Sequence, residues 1–435
     1  MVRDKPVPSS RAGRLLKLGR LAGGIAGEMI SEGASQLLGG KRVKAIDLLL
    51  TPENARQLTD KLSEMRGAAM KVGQLLSMEA GDYLPPELTD VLATLRESAY
   101  TMPQGQVADV LKNAWGVGWE EQFEHFSFTP IAAASIGQVH EAKTKQGQHL
   151  AIKIQYPGVR VSIDSDVNNV STLFKLLRLV PKGYDLSLLL DEAKRQLHQE
   201  ADYKAEAASI AEYRSCLGSD PNFDLPTVDS SRSSAEVLSM SFVPGVPIES
   251  LAGESSQLRN RIATRMLSLM LKEVFEWQLV QTDANFANYR YQAEKECIGL
   301  LDFGATRRYP AEFTEQLRQL MTAARDDDLP AIETYALALG YLRADEDPVY
   351  RQGLCEMIRM VAEPLRQEGW FDFGCSDLSK RVANQAISLR VRQRYMHLPP
   401  TDVLFLHRKF AGTYLLCARL RAQVDIASLI KPYLV

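Results

Sequence analysis

The second half of the chain carries an ordered set of carboxylate and amide side chains, which constrains the fold more than any other feature. Asp283 and Asn288 are five residues apart, and a triplet of Asp, Phe and Gly begins at Asp302, fourteen residues after Asn288. The β-forming residues at 289–291 and 298–301 predict a short hairpin between them. Carboxylate and amide oxygens in this arrangement are suited to hold Mg²⁺ beside phosphate groups.

A cation suited to phosphate binding lies well upstream of this set. Apolar and polar residues alternate over 149–155, which predicts a strand with Leu150, Ile152 and Ile154 on its core face and Lys153 on the other. The Ala-Ile-Lys triplet that ends at Lys153 matches a kinase strand motif, and the spacing of the downstream residues matches the kinase catalytic and metal-binding loops. A solvated strand lysine is the alternative interpretation of Lys153.

The distribution of secondary-structure signals predicts an α+β, bilobal fold of the protein-kinase type. Residues 126–245 are rich in β-formers and turn residues and predict a small nucleotide-binding lobe, while 246–435 predict a large helical lobe with the catalytic and metal-binding loops. Residues 51–125 predict a helical extension packed over the cleft, with an amphipathic helix at 54–80. The first 50 residues are basic and Gly-rich.

Composition excludes several classes of protein. A net charge of −3, from 51 basic and 54 acidic residues, argues against a nucleic-acid partner. The five cysteines form no CxxC pair, which predicts a reduced protein without a zinc site. No window contains the roughly 18–20 apolar residues that a membrane-spanning helix needs. We therefore expect a cytoplasmic protein.

These motifs together resemble those of the UbiB-like atypical kinases, a family that supports ubiquinone biosynthesis. The similarity extends from the basic N-terminal segment to the C-terminal helices. The motifs that carry it are Lys71-Val72-Gly73-Gln74, Ala132-Ala133-Ala134-Ser135, Glu200-Ala201-Asp202, the segment 281–288 and Asp302-Phe303-Gly304.

The resemblance implies a role for each site residue. Lys153 would hold the α- and β-phosphates of ATP or ADP and pair with Glu206, while Asn288 and Asp302 would bind Mg²⁺. Asp283 stands where a kinase has its catalytic base. The loop Ala132–Ser135 would replace a glycine-rich phosphate loop, and because alanine resists the backbone conformations that glycine allows, it would alter nucleotide preference and suppress protein phosphorylation.

A regulatory group is implied in the N-terminal extension. Lys71 and Gln74 share a helix face, and the family pattern predicts that Lys71 meets Glu200 and Asp202 over the cleft. Two residues in a continuous helix are separated by about 200°, so Glu200 and Asp202 face Lys71 together only if a helix starts or bends there. An ordinary surface pair is the alternative.

The resemblance predicts an ATPase that supports biosynthesis of ubiquinone or another prenylated lipid, with prenyl lipids or proteins of that pathway as partners. Two alternatives stay open: a phosphotransferase acting on a small molecule or protein, and a nucleotide-gated lipid-binding or scaffolding protein. Ala284 stands where the related sequences have proline. Any contact with the inner membrane would be peripheral, with the basic stretch 11–20 as one candidate for it and an ordinary solvated terminus as the alternative.

Overall fold

The computed structural model of the protein describes residues 67, 68, 71, 72, 101–176, 187–393 and 399–434. The chain divides into two compact units. Unit 1 comprises Met1–Ala208 and Thr227–Phe242, and unit 2 comprises Ser209–Pro226 and Val243–Val435.

Helices and strands alternate in the first part of the described chain, and most of the elements after β11 are helices. The helices are α1 Gln104–Trp115, α2 Val159–Leu176, α3 Ser187–Glu200, α4 Tyr203–Leu217, α5 Ser256–Lys272, α6 Ala311–Arg325, α7 Leu329–Ala338, α8 Pro348–Val361, α9 Glu363–Arg366, α10 Leu378–Gln393, α11 Thr401–Arg419 and α12 Ile426–Ile430. The strands are β1 Phe123–Phe126, β2 Ala132–Ala133, β3 Gly137–Thr144, β4 His149–Gln155, β5 Phe223–Asp224, β6 Val237–Ser241, β7 Val246–Pro247, β8 Leu279–Gln281, β9 Tyr289–Gln292, β10 Cys297–Leu300, β11 Thr306–Arg308, β12 Phe371–Asp372 and β13 Gln423–Val424.

Unit 1 is built on an antiparallel sheet with the strand order β1-β3-β4-β6, and β2 pairs with β3. The alternation predicted for β4 is confirmed: Leu150, Ile152 and Ile154 are buried in the core of this unit. Residues that precede the sheet complete the same core, including Leu111 of α1 and Trp119. The ring of Trp119 packs edge-on against Phe126, with centroids 5.2 Å apart.

Helix boundaries in unit 1 differ from the prediction in two places. The sequence pattern over 186–216 predicts a single helix, but the structure has two, α3 and α4, which are separated at Ala201 and Asp202. The carboxylate of Asp202 accepts a hydrogen bond from the N–H of Ala205 at 3.1 Å and so caps α4. The sequence pattern also predicts a helix that starts at residue 165, whereas α2 begins at Val159, directly after the turn at Pro157 and Gly158.

The amphipathic helix predicted at 54–80 lies mostly outside the described residues. Gly67, Ala68, Lys71 and Val72 are helical, and Ala68 and Val72 are buried. Their burial agrees with an apolar stripe that repeats every three to four residues. Packing of the extension over a cleft stays a prediction.

Unit 2 combines helices with small sheets. Strands β5, β10, β9 and β7 form one sheet in that order, and β8 pairs with β11. The hairpin predicted between the two motifs is confirmed as β9 and β10, in which Tyr291 pairs with Ile298. In the described part of the chain, no helix is long and apolar enough to cross a membrane.

Candidate functional site

Lys153 lies at the middle of the unit 1 sheet and forms a buried ion pair. Its strand β4 runs between β3 and β6, where Lys153 pairs with Val139 and Leu238. Its Nζ donates to both carboxylate oxygens of Glu206, each at 2.9 Å. Lys153 and Glu206 are only 7% and 3% exposed. The alternative of a solvated strand lysine is therefore wrong, since a buried charge of this kind requires a partner.

The helix α4 supplies Glu206 because it starts where α3 has ended. The cap at Asp202 fixes the first turn of α4, and Glu206 lies in that turn. The ring of Tyr203 lies beneath the lysine, with Nζ 5.3 Å from its centroid. Lys153 is thus held by a carboxylate and placed over an aromatic face.

The alanine-rich loop forms a tight turn between β2 and β3. Ala132 and Ala133 are exposed and pair with Val139 and Gln138. The N–H of Ala134 donates to the carbonyl of Gly137 at 2.8 Å, which closes the turn. This backbone N–H is therefore already bonded within the loop, in contrast to a glycine-rich loop whose N–H groups are free to face phosphates.

Glu200, the last residue of α3, joins two other elements of unit 1. One carboxylate oxygen is paired with the ammonium of Lys71, and the other accepts a hydrogen bond from the hydroxyl of Ser135. The predicted contact between Lys71 and Glu200 is present. Asp202 lies in the break between α3 and α4, where its carboxylate caps α4, and its predicted contact with Lys71 stays a prediction.

The helix that carries Lys71 also touches the alanine-rich loop through its backbone. A Cβ built on Gly67 would lie 2.8 Å from the carbonyl oxygen of Ser135. Lys71 itself is 8% exposed. Gln74, the other residue predicted to be regulatory, lies outside the described residues. The regulatory role of this group stays a prediction.

In unit 2, Asp283 and Asn288 are brought together by a short helical turn. The side chain of Asn285 caps this turn by accepting from the N–H of Ala287 at 3.1 Å. The Nδ2 of Asn288 then donates to the Asp283 carbonyl at 3.1 Å and to its Oδ2 at 3.2 Å. The guanidinium of Arg408 donates to Oδ1 of the same carboxylate at 3.1 Å.

Asp302 follows β10 and is tied to the loop that carries Asn288. The N–H of Leu301 donates to the Asn288 carbonyl at 3.0 Å. Oδ1 of Asp302 accepts from the N–H of Gly304 at 2.9 Å, and Phe303 is buried against Tyr213 with ring centroids 4.9 Å apart. Because Asn288 donates through Nδ2, its amide oxygen is the atom of this side chain that could bind a metal. A carboxylate and an amide oxygen fit Mg²⁺.

A buried network beneath Asp283 was not predicted from the sequence. Glu273, in the π-helical turn Glu273–Trp277, is fully buried and pairs with Lys409 at 2.5 Å. It also accepts from the Tyr213 hydroxyl at 2.9 Å and from the N–H of Gln281 at 3.0 Å. Burial and the Glu273 carboxylate raise the pKa of Tyr213 well above its usual value, so the hydroxyl stays a donor.

The lysine of this network stays charged although it is buried. Burial alone would lower the pKa of Lys409, but Glu273 and the hydroxyl of Tyr289 outweigh it and raise that pKa. The sequence does contain one signal for the network. Arg408 and Lys409 interrupt an otherwise apolar helical window, and a charge at the buried face of a helix needs a partner.

The model of the ABC1 atypical kinase-like domain matches residues 94–336 of the chain. The chain belongs to the ABC1 atypical kinase-like family. The UbiB-like resemblance predicted from the motifs is therefore confirmed.

Curated relatives of this atypical kinase match over nearly its whole length. It is 36% identical over 432 residues to the mitochondrial atypical kinase COQ8 of Saccharomyces cerevisiae. This alignment covers 99% of this chain and 86% of the yeast protein. It is 36% identical over 424 residues to the mitochondrial atypical kinase COQ8B of Rattus norvegicus, covering 97% of this chain and 80% of the rat protein.

A solved structure supports the fold. The Rv3197–erythromycin complex from Mycobacterium tuberculosis is 27% identical with a TM-score of 0.62, and the match covers 93% of this chain and 98% of that one. The predicted kinase-like fold with mixed helices and sheets is confirmed.

Proposed function

We propose that this atypical kinase binds ATP or ADP with Mg²⁺ and hydrolyses ATP in support of the biosynthesis of ubiquinone or another prenylated lipid. The observation that carries the nucleotide part is the buried ion pair of Lys153 and Glu206. A lysine on the central strand, held by a carboxylate from a helix, is the arrangement with which kinases bind the α- and β-phosphates. Ala132–Ser135 are the proposed phosphate loop.

In this proposal, residues of unit 2 bind the metal and orient the group that accepts the phosphoryl. Asn288 and Asp302 would bind Mg²⁺ through oxygen atoms, and the metal when bound would neutralise charge on the phosphates. Asp283 would accept a hydrogen bond from the acceptor hydroxyl and orient it. Its carboxylate is already fixed at both oxygens, by Arg408 and Asn288.

The segment after Asp302 favours water or a small molecule as the acceptor. In protein kinases a long activation segment follows the corresponding aspartate and carries the phosphorylation site. Here Thr306–Arg308 pairs directly with β8, and α6 begins at Ala311. The two hydrogen bonds from Thr282 to the Ala305 carbonyl, at 3.2 and 2.7 Å, fasten the start of this segment. This leaves little chain with which to dock a protein substrate.

The proposed role in ubiquinone biosynthesis is based on the relatives of this chain, which are COQ8 proteins. Prenyl lipids or proteins of that pathway are the proposed partners. Contact with the inner membrane by an otherwise cytoplasmic protein is part of the same proposal. Lys71, Gln74, Glu200 and Asp202 are proposed as regulatory residues.

Steady-state release of phosphate from Mg-ATP tests the proposal. We expect turnover by the purified full chain that increases when anionic lipid vesicles or phenolic quinone precursors are added. Lys153→Met is the matched negative control, because it removes the phosphate-binding charge with little change in side-chain volume. A wild-type rate equal to that of Lys153→Met in every condition would contradict ATPase activity.

The two alternatives give different results in the same experiment. A phosphotransferase would move radiolabel from γ-labelled ATP to the phenol or to an added protein, with no excess of free phosphate. A nucleotide-gated scaffold would bind Mg-ATP and change its affinity for vesicles without turnover.

A further inference from the structure

The long C-terminal helix α11 places two charged side chains and a glycine against the loop that carries Asp283. Arg408, Lys409 and Gly412 lie within about one turn of this helix. Arg408 and Gly412 each contact a different residue of the loop, and Lys409 contacts a buried residue that supports it. Together they suggest that α11 belongs to the machinery of the reaction.

Arg408 contacts the site itself. Its Nη2 lies 3.1 Å from Oδ1 of Asp283, and the two side chains are 20% and 36% exposed. The guanidinium carbon of Arg408 lies 5.8 Å from the ring centroid of Phe405, one turn earlier in the helix. The arginine is thus supported from its own helix while it faces the carboxylate.

Gly412 brings the helix backbone close to the next residue of the loop. A Cβ built on Gly412 would lie 2.4 Å from the Cβ of Ala284 and 3.1 Å from its carbonyl oxygen. Any side chain at position 412 would therefore push either the helix or the loop away. Close approach at this point keeps Arg408 within reach of Asp283.

Lys409 anchors the helix beneath the site. Its ammonium pairs with Glu273, whose other oxygen accepts from the N–H of Gln281, two residues before Asp283. Both charged side chains are almost fully buried, at 2% and 0% exposed. The anchor therefore fixes the main chain, whereas Arg408 fixes the carboxylate.

We propose that Arg408 is a positioning residue for the phosphoryl transfer from ATP, which holds the Asp283 carboxylate in the orientation that aligns the acceptor. This inference rests on the proposed function of Asp283. When water is the acceptor, its oxygen bonds to the γ-phosphorus as the bond to the bridging oxygen of ADP breaks. One water proton stays on the phosphate product, and the other leaves through Asp283 to solvent.

Removal of Arg408 should therefore affect the orientation of the Asp283 carboxylate but not the binding of the nucleotide. Asp283 with Arg408 removed keeps the hydrogen bond from Asn288 but can rotate away from the acceptor. Misplacement of a group by about 1 Å can cost up to about 100-fold in rate. Nucleotide affinity should not change, because Arg408 is not among the groups assigned to the phosphates or the metal.

The test compares four full-length variants by kcat, KM for ATP, the dissociation constant of Mg-ATP and Tm. Arg408→Gln should lower kcat about 10- to 100-fold, with KM and the dissociation constant within about 3-fold of wild type. Its Tm should change by about 2 °C at most, since a partly exposed ion pair adds little stability. Arg408→Lys should recover most of kcat because it keeps the charge.

Two further variants separate local from general effects. Gly412→Ala should lower kcat by displacing Ala284. Arg419→Gln, which removes an exposed arginine from the last turn of the same helix, should change nothing.

The outcomes distinguish this inference from the proposed function. No phosphate release by the wild type would overturn both. A wild-type rate that Arg408→Gln leaves intact, or a loss in Arg408→Gln that Arg408→Lys fails to restore, would overturn the positioning role alone. So would a loss of kcat that only follows a fall in Tm.

Discussion

The two units hold their candidate functional side chains in different ways. In unit 1 these side chains bond to one another: Lys153 to Glu206, and Lys71 and Ser135 to Glu200. In unit 2, Asn288 also bonds to Asp283, but further support comes from residues with no assigned contact to nucleotide or metal. Arg408 holds the Asp283 carboxylate, and the buried pair of Lys409 and Glu273 holds the main chain at Gln281. The comparison suggests that the same residues serve stability and function in unit 1, whereas unit 2 has additional residues that serve stability alone.

The largest expected effect tests the supporting network of unit 2. Lys409→Met should lower the free energy of unfolding by about 3–5 kcal/mol, because it leaves Glu273 buried and without its cation. Chemical denaturation measures this loss. Below the unfolding transition, the affinity for Mg-ATP should stay close to that of wild type. A loss of affinity in the folded variant would break the proposed separation.

The surface provides the control for this prediction. Lys143 and Glu124 form an ion pair in which both side chains are about half exposed. Lys143→Met should change the free energy of unfolding by less than about 1 kcal/mol. A similar loss in both lysine variants would mean that burial of the Lys409 pair is not the cause.

Gly67→Ala should affect stability and nucleotide binding together, as expected for unit 1. The new methyl group would lie 2.8 Å from the Ser135 carbonyl oxygen, so the helix or the proposed phosphate loop must move. We expect a loss of about 1–3 kcal/mol in the free energy of unfolding and a changed affinity for ATP. Gly105→Ala is the matched control, since nothing lies within 4 Å of its added methyl group. It should be neutral or slightly stabilising.

Lys71→Ala should leave the fold intact and alter the reaction. Its removal frees Glu200 and loosens the link between the N-terminal helix and Ser135. The expected result is a changed rate of phosphate release or the appearance of autophosphorylation, measured with labelled ATP. Wild-type values for both would remove Lys71 from the regulatory group.

The smallest effect is a pH dependence in unit 1. His140 accepts from the Gln138 amide at 2.8 Å and bonds the Ser127 carbonyl through its other nitrogen at 2.7 Å, so the neutral ring is required. Burial lowers the pKa of His140 below 6.5, although the bond to Ser127 opposes this. Its contribution to stability is therefore present above pH 6.5 and is lost as the pH falls from there towards the lower folded-state pKa.

Denaturation between pH 7 and pH 5 measures this dependence, and His140→Gln should reduce it. Gln138 also accepts from the N–H of Met102 at 2.9 Å, and it follows Gly137, whose carbonyl closes the turn of the proposed phosphate loop. If the residues that stabilise unit 1 also support ATP binding, the affinity for ATP should weaken over the same pH range. An unchanged slope in His140→Gln would assign the effect to other groups.

The motifs of the candidate site can be predicted from the sequence, whereas the residues that support them cannot. Lys153 can be predicted because strand alternation and the Ala-Ile-Lys triplet are both patterns that extend over only a few residues. The break between Glu200 and Asp202 cannot be predicted in this way because helical periodicity continues on both sides of it. Only the cap of α4, in which Asp202 accepts from the N–H of Ala205, reveals it. Arg408 and Lys409 act on residues far earlier in the chain, and no local pattern identifies the partner of a distant charge.

The assignment of the nucleotide and metal site can be tested by measuring the affinity for ATP, with and without Mg²⁺, in the wild type and in Asp302→Asn. Loss of the charged oxygen ligand should remove the magnesium dependence of binding while the protein stays folded. We expect the wild type to bind ATP tightly only with Mg²⁺, and the variant to bind it weakly in both conditions. An unchanged magnesium-dependent affinity in folded Asp302→Asn would contradict the assignment of Asp302 to the nucleotide and metal site.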